Sequence, residues 1–196
     1  MKKIATLLIA LSLSLFGCKG EQVEEEETST PEYDPITWES CSYAIDDHPC
    51  GFTLKDQEDE NWNLYENYGN IIVLDISAEW CYYCHVAAAD VELVQQSYSD
   101  ENFIYVTILI ENSNGDPATL DLVKKWADYY GITSAPVLAG NRDMIDQTGE
   151  NGWHVTGWPT FVFIDENMVI RQYVRGYSSS TILTTIDALL LESKSK

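Results

Sequence analysis

Basic side chains are scarce in this 196-residue chain: 11 Lys and Arg stand against 32 Asp and Glu, giving a formal charge of -21. So few cations leave no basic surface to neutralise phosphates, which argues against nucleic-acid binding. Long apolar runs are missing too. The candidate run, Ile4 to Phe16, is thirteen largely apolar residues. As a helix it would span about 20 Å, short of a hydrocarbon core of roughly 30 Å. No internal repeat and no second low-complexity segment interrupts the chain, which leaves one ordinary domain plus appendages. The 45% apolar content furnishes a core for that domain, and 12% aromatics, six of them Trp, argue against a disordered chain. The acidic balance favours solubility and cationic partners. Five cysteines is an odd number, so one needs a separate explanation.

Lys2 and Lys3 ahead of the apolar run read as a signal peptide over residues 1–17. Leu15-Phe16-Gly17-Cys18 resembles the lipobox of bacterial lipoproteins, although Phe16 is bulkier than that motif usually takes. The resemblance implies that Cys18 is lipidated and becomes the mature N-terminus, held at a membrane by its acyl chains. The alternative is an ordinary secretory signal with Cys18 in its discarded or frayed end. Removal of Lys2 and Lys3 leaves nine basic against 32 acidic side chains, a charge of about -23. Residues 18–35 hold seven acids, two prolines and almost no large aliphatics, which reads as a disordered acidic tether. The remaining four cysteines, Cys41, Cys50, Cys81 and Cys84, form an even set suited to an oxidising compartment.

Residues 36–196 form the expected folded domain. Phe52-Thr53-Leu54 and Trp62-Asn63-Leu64 flank an acidic turn and predict a small hairpin. Ile71 to Ile76 is a continuous apolar run, as in a strand buried on both faces. One helix is expected from Cys81 to about Ser97, then a buried strand from Phe103 to Ile110. Asp116-Pro117 predicts a helix opening that runs to Tyr130 and stops at Gly131. Thr160 to Ile164 and Met168 to Val174 alternate as strands about Asp165-Glu166-Asn167, and Ser178 to Ser180 cap a last helix ending near Leu191. The order is α/β with a mixed central sheet.

Cys81-Tyr82-Tyr83-Cys84 lies where a buried strand meets a helix. Two cysteines three apart at a helix start can close a tight disulfide. The helix N-terminus also favours the thiolate of the first, the species that attacks a disulfide. The bland alternatives are a structural disulfide and half of a zinc site, though Cys41, Cys50 and His48 have the wrong spacing to complete one. With His85 the motif also matches C-x-x-C-H, the attachment signal of c-type haem, with Met144 or Met168 as a distal ligand. The buried strand feeding into the motif argues against haem.

Val73 to Cys84 resembles the active-site strand and helix start of the thioredoxin superfamily. Gly157-Trp158-Pro159-Thr160 resembles that family's cis-proline segment, about 75 residues later. From Gly51 through Leu191, about 140 of the 196 residues, the chain is similar to the TlpA/ResA-like branch of membrane-anchored extracytoplasmic thioredoxins. That branch shares the N-terminal hairpin and an insertion before the cis-proline, here roughly Tyr130 to Val155. The resemblance implies a thioredoxin-like fold: a mixed central sheet flanked by helices, with the hairpin as an N-terminal extension. It implies a protein-disulfide oxidoreductase needing no cofactor or metal, in which Cys81 attacks, Cys84 resolves and Asp75 is the buried proton acceptor beneath them. Pro159 would be the cis-proline and Trp158 the backbone that pairs with an incoming peptide, with Trp80, Tyr82 and Tyr83 completing the substrate surface. Its partners would be disulfide-containing proteins of a bacterial cell envelope and an electron donor, with the domain facing the periplasm or exterior. Ser77, where many thioredoxins carry a second Trp, and the Tyr82-Tyr83 dipeptide depart from the family pattern and leave the direction of reaction open. The rival functions are a thiol peroxidase of related fold and a metal- or haem-binding carrier using Cys81, Cys84 and His85. Cys41 and Cys50 read as a structural disulfide pinning the extension, with a second redox pair as the alternative. Closing that short loop contributes on the order of 2–3 kcal/mol through chain entropy.

From Asp56 through Asp121 the chain has fourteen acids and no Lys or Arg. Carboxylates near a thiol raise its pKa, so the Cys81 thiolate lacks local support beyond His85, unless Arg142, Arg171 or Arg175 approaches through the fold. This favours a low-potential, reducing couple. The prediction is that thiolate ultraviolet absorbance in the reduced protein develops above neutral pH; a rise well below neutral overturns it.

Overall fold

The computed structural model describes residues 36–195. The expected signal segment, Cys18 and the acidic tether lie outside the described residues. The first pair of strands is β1 (Thr53–Lys55) and β2 (Asn61–Asn63), antiparallel as the hairpin pattern predicts. Then come β3 (Ile71–Ser77), α1 (Tyr82–Ala88), α2 (Val91–Ser97), β4 (Phe103–Leu109) and α3 (Leu120–Tyr130). The chain continues through β5 (Val137–Ala139), a parallel pair β6 (Ile145–Asp146) and β7 (Trp153–His154), β8 (Thr160–Ile164), β9 (Ile170–Arg175) and α4 (Ser179–Lys194). The five-stranded sheet has the order β5-β4-β3-β8-β9. β3, β4 and β5 run parallel, while β8 is antiparallel to both β3 and β9, so the sheet is mixed and flanked by helices.

β3 is the centre of this arrangement, paired on both edges and buried along all seven residues. Alternation along a strand sends successive side chains to opposite faces. Ile71 and Val73 join the core that includes Cys81, Cys84 and residues of all four helices. Ile72, Leu74 and Ile76 join a second core closed by the N-terminal extension and Trp153. The same alternation puts Asp75 on the face carrying the two cysteines.

Three helix boundaries differ from the sequence expectation. The helix expected from Cys81 to Ser97 is split after Ala88, where the Asp90 amide bonds to the Ala87 carbonyl and the Asp90 carboxylate accepts the Tyr177 hydroxyl. The helix expected at Asp116-Pro117 begins instead at Leu120. Thr119 is its N-cap, with Oγ1 accepting the Leu122 amide at 3.2 Å, while Pro117 bridges to Glu111. Its end at Gly131 is as expected, in the left-handed conformation that suits glycine (φ 65°). The last helix runs to Lys194, beyond Leu191. The final strand starts at Ile170, not Met168, because Met168 lies in the turn at φ 57°.

The extension is fastened at several points. Cys41 and Cys50 are joined, with S–S 2.02 Å and Cα–Cα 4.8 Å. Their loop reaches β9 through backbone bonds from Asp46 N to Ile170 O (2.8 Å) and from Ile170 N to Asp47 O (2.9 Å). His48 stacks on Trp38 at 3.9 Å and bonds through Nδ1 to the Met168 carbonyl. On the other sheet edge the Gln57 side chain accepts the Val137 amide (2.7 Å) and donates to the Ala135 carbonyl (3.2 Å).

Glu92 ties α2 to the segment before β5, accepting from the amides and hydroxyls of Thr133 and Ser134 at 2.7–3.0 Å. Burial opposes its ionisation, but these four donors outweigh burial and hold the pKa down at about 2. The sign follows from the linkage: the ionised Glu92 stabilises the fold above the ordinary value of 4.5, and this is lost as pH falls towards 2. Glu92→Gln is therefore expected to cost about 1 kcal/mol near neutrality, after solvent screening. The deficit should vanish at the acid end of that window in urea titrations of both proteins. A deficit independent of pH would contradict the assignment.

Candidate active site

The end of β3 delivers the chemistry. Ser77 closes the strand, and Ala78 to Trp80 lead to Cys81, the N-cap of α1. Its Sγ accepts the Cys84 amide at 3.2 Å, the geometry by which a helix start stabilises a sulfur carrying negative charge. Cys81 and Cys84 form a disulfide with Cα–Cα 5.2 Å. Cys84 is wholly buried while Cys81 keeps a small accessible area, the asymmetry expected of an attacking and a resolving sulfur. Tyr82 and Tyr83 between them are exposed at 73% and 61%, and their rings meet edge to face at 5.4 Å.

Asp75 is completely buried on the cysteine face. Burial is the larger effect on its carboxyl, and it wins over hydrogen bonds from Ser77 Oγ (2.6 Å) and Tyr105 (3.2 Å), pushing the pKa up to about 7. A group poised there exchanges protons readily near neutral pH. Ser77, where the family resemblance leads one to expect Trp, thus serves the acid. Tyr105 in turn has its own pKa raised well above 10, first by burial and then by the Asp75 charge. Tyr105 was not among the expected site residues. Its signal is parity: β4 residue Tyr105 is in register with Val73, on the same face as Asp75 two residues along.

The second family segment stands beside the first. The Trp158–Pro159 peptide is cis, as the resemblance implies. Trp158 packs edge to face on Trp80 at 5.7 Å, which joins the cis-proline segment to the residue preceding Cys81. Trp80 is itself anchored, donating from its indole to the buried carboxylate of Glu111 at 2.6 Å. Arg142 closes that group with two bonds to Glu111, at 2.5 and 2.6 Å. Burial raises the Glu111 pKa, but the bonds from Arg142 and Trp80 prevail and lower it overall. Sequence reading missed Glu111, although an acid directly after the apolar run Phe103 to Ile110 is its trace.

The cations that the sequence left open are now placed. Arg142 reaches the site, but its charge is matched by Glu111. Arg171 pairs with Asp165 and Glu192 at the β8–β9 turn. The Arg175 stem packs on Gly157, where an added Cβ would meet Arg175 Cδ at 2.6 Å. His85 has both ring nitrogens engaged. Nε2 faces the Glu79 carbonyl at 2.6 Å, and a carbonyl only accepts, so the proton sits there; Nδ1 faces the Tyr130 hydroxyl at 2.5 Å. This leaves no ring nitrogen for a metal or haem. Met168, one suggested distal ligand, is fully buried in the core on the opposite face of the sheet, and Met144 packs against that same core. Among the described residues no group of three or more His, Cys, Asp or Glu is placed to hold a metal ion.

Comparison with known proteins agrees with this geometry. No curated protein matches the sequence. The exposed lipoprotein thioredoxin Etrx1 of Streptococcus pneumoniae superposes with TM-score 0.59 at 20% identity, covering 71% of this chain and all of that one. A thioredoxin-family thiol:disulfide interchange protein of Chlorobium tepidum gives 0.60 at 19% identity, covering 78% of this chain and 99% of that one. A DsbF homologue of Corynebacterium diphtheriae gives 0.60 at 17%, covering 79% and 96%. These likenesses establish the thioredoxin-like fold. Residues 45–173, which span the hairpin, the cysteine pair and the cis-proline segment, match the family model described as AhpC/TSA, and the chain belongs to the AhpC/TSA family.

Proposed function

We propose that this chain is an exported, lipid-anchored thiol-disulfide oxidoreductase acting on disulfides of other envelope proteins. One observation carries the reading: Cys81 and Cys84 open a helix directly after a wholly buried strand whose Asp75 shares their face. In the reduced protein the Cys81 thiolate attacks one sulfur of a partner disulfide. A Cys81–partner bond forms, the partner S–S bond breaks, and the departing sulfur takes a proton. Cys84, its proton passed to Asp75, then attacks Cys81 and releases the second partner thiol, which takes the proton back from solvent or Asp75. Two electrons have moved from Cys81 and Cys84 to the partner, and an external dithiol must restore them. The direction is reductive, because the matched Glu111–Arg142 pair leaves the acidic surroundings of Cys81 without a surplus cation.

The address rests on other features. Gly17-Cys18 supports lipidation, and the residues from Lys19 to Pro35 would space the domain from the surface. The S. pneumoniae structure is that of an exposed lipoprotein, which supports an envelope location here. The Cys41–Cys50 bond, tied by its loop to β9, fits a structural role in an oxidising compartment. Thiol peroxidase chemistry is the competing reading, and the pairing of Cys81 with a neighbour three residues on disfavours it.

Two variants test the mechanism. Cys84→Ala removes the resolving sulfur, so partner proteins are expected to stay covalently bound to Cys81 and to be released by dithiothreitol. Absence of adducts in the native envelope, or peroxide turnover without insulin-disulfide reduction, would falsify the exchange mechanism. Asp75→Asn is expected to slow insulin reduction about 100-fold and to abolish the rise in rate centred near pH 7. The same variant bears on stability. With the native carboxyl raised from 3.8 to about 7, the oxidised fold is favoured below the lower value and loses stability as pH rises to the upper one. Urea unfolding should show that loss in the native protein and not in Asp75→Asn; parallel curves would remove Asp75 from the mechanism.

A further inference from the structure

Thr107 stands in the middle of β4, wholly buried, and among the described residues its hydroxyl has no hydrogen-bond partner. Its backbone amide is satisfied by the Pro136 carbonyl at 3.0 Å, so the hydroxyl alone is left over. A valine of the same shape would fill this place in the core, whereas a buried hydroxyl without a partner costs stability. The register shows where a partner can come from. Thr107 lies beside Asp75 on β3 and beside Val137 on β5. Neighbouring strands are about 4.8 Å apart, and residues in register point to the same face. Val137 has an apolar side chain, so of the two flanking residues only Asp75 can bond to the hydroxyl.

The Asp75 carboxyl has room for it. An ionised carboxylate accepts at about four sites, and Asp75 uses two of them, for Ser77 Oγ and the Tyr105 hydroxyl. We propose that Thr107 is the third donor to Asp75, engaged when the carboxyl ionises, and that it thereby sets the pH at which Asp75 can accept the Cys84 proton. Rotation of the Thr107 side chain or of the carboxyl closes the contact. The hydroxyl favours the carboxylate over the acid, because a hydrogen bond to a charged group is the stronger one. As Cys84 gives up its S–H proton, the carboxylate becomes a carboxyl and Thr107 is released. Thr107 is thus a positioning residue that acts through Asp75. The inference rests on the oxidoreductase reading above for the use made of the proton, while the bond itself concerns Thr107 and Asp75 alone.

The other titratable groups around Asp75 do not blur this one. Tyr105 shares its carboxyl, Tyr177 from the segment after β9 donates to Asp90 at the start of α2, and Cys81 and Cys84 face the sheet from α1. Burial above all pushes Tyr105 well above 10 and Tyr177 up to about 12, so both keep their protons through neutral pH. α3 and α4 contribute hydrophobic side chains on this face. In the oxidised protein the two cysteines are joined and do not titrate.

The test therefore starts from the oxidised full chain, with carbon-13 in its aspartate carboxyls. The Asp75 resonance, identified by its loss in Asp75→Asn, is expected to titrate near pH 7 in the native protein. Thr107→Val, which removes the hydroxyl and keeps the shape, is expected to raise that midpoint by about one unit, roughly a tenfold change in the ionisation constant. Thr107→Ser, which restores a hydroxyl, is expected to return it towards the native value. With the reduced chain, insulin reduction by Thr107→Val is expected to be about fivefold slower than native near pH 7 and to recover by about pH 9. A fall of equal size at both pH values marks a structural fault and overturns the role. The native protein supplies a reading that needs no variant: the Thr107 hydroxyl proton is expected to move downfield with the same midpoint as the Asp75 carbon. Equal midpoints in native and Thr107→Val, or a hydroxyl proton indifferent to the Asp75 titration, overturn the assignment. Inertness of the native dithiol towards hydroxyethyl disulfide overturns instead the oxidoreductase reading and the use of the proton, since the bond to Asp75 is read in the oxidised protein.

Discussion

The site depends on one constraint: β3 is paired on both edges and covered on both faces, and still carries a carboxyl at its fifth position. A charge there is costly, so Asp75 stays protonated up to about neutral pH, and its bonds to Ser77 and Tyr105 fix where its proton acceptor points. The same pairing makes the strand end abruptly. Past Ser77 the chain turns within four residues into α1, and Cys81 falls at the helix N-terminus. Rigid strand, buried acid and capped sulfur are consequences of a single packing arrangement.

A second layer holds the aromatic surface beside the cysteine pair in place from a distance. Trp80 is not packed into either core; it is steadied by Glu111 from the end of β4 and, through it, by Arg142 from the segment before β6. Trp158 leans on Trp80 in turn. A buried carboxylate satisfied by two bonds from one guanidinium and one from an indole is a well-determined anchor. The wall between the cysteine pair and the cis-proline segment is thereby fixed by residues that do no chemistry.

What the sequence discloses follows the range of the interactions. β3, β4 and β8 are apolar runs set by their own burial, and Cys81, Cys84, Asp75 and Pro159 sit within short motifs, so these were readable. The break at Asp90 was not, because the hydroxyl that holds it comes from Tyr177, 87 residues on. Thr119 was overlooked as a cap because Asp116-Pro117 offers a stronger-looking start, yet those residues complete a turn begun at Asn112, whose side chain binds the Asp116 amide. Glu111, Arg142 and Trp80 meet across 31-residue separations that leave no periodic trace. Tyr130, which meets the His85 ring, escaped notice for the opposite reason, since it looks like an ordinary position of an amphipathic helix.

The fastening of the N-terminal extension has a meaning for how other chains can approach. Outer strands normally present unpaired amides and carbonyls to any passing strand. Here Asp46 and Asp47 occupy both backbone groups of Ile170 at one margin of the sheet, and the Gln57 carboxamide imitates a neighbouring strand at the other. Both margins are thus partly closed to strand addition by segments that precede the cysteine pair in the chain. The backbone groups that an added strand would use at Ile170 and Val137 are already taken, while Tyr82 and Tyr83 beside the sulfurs stay exposed.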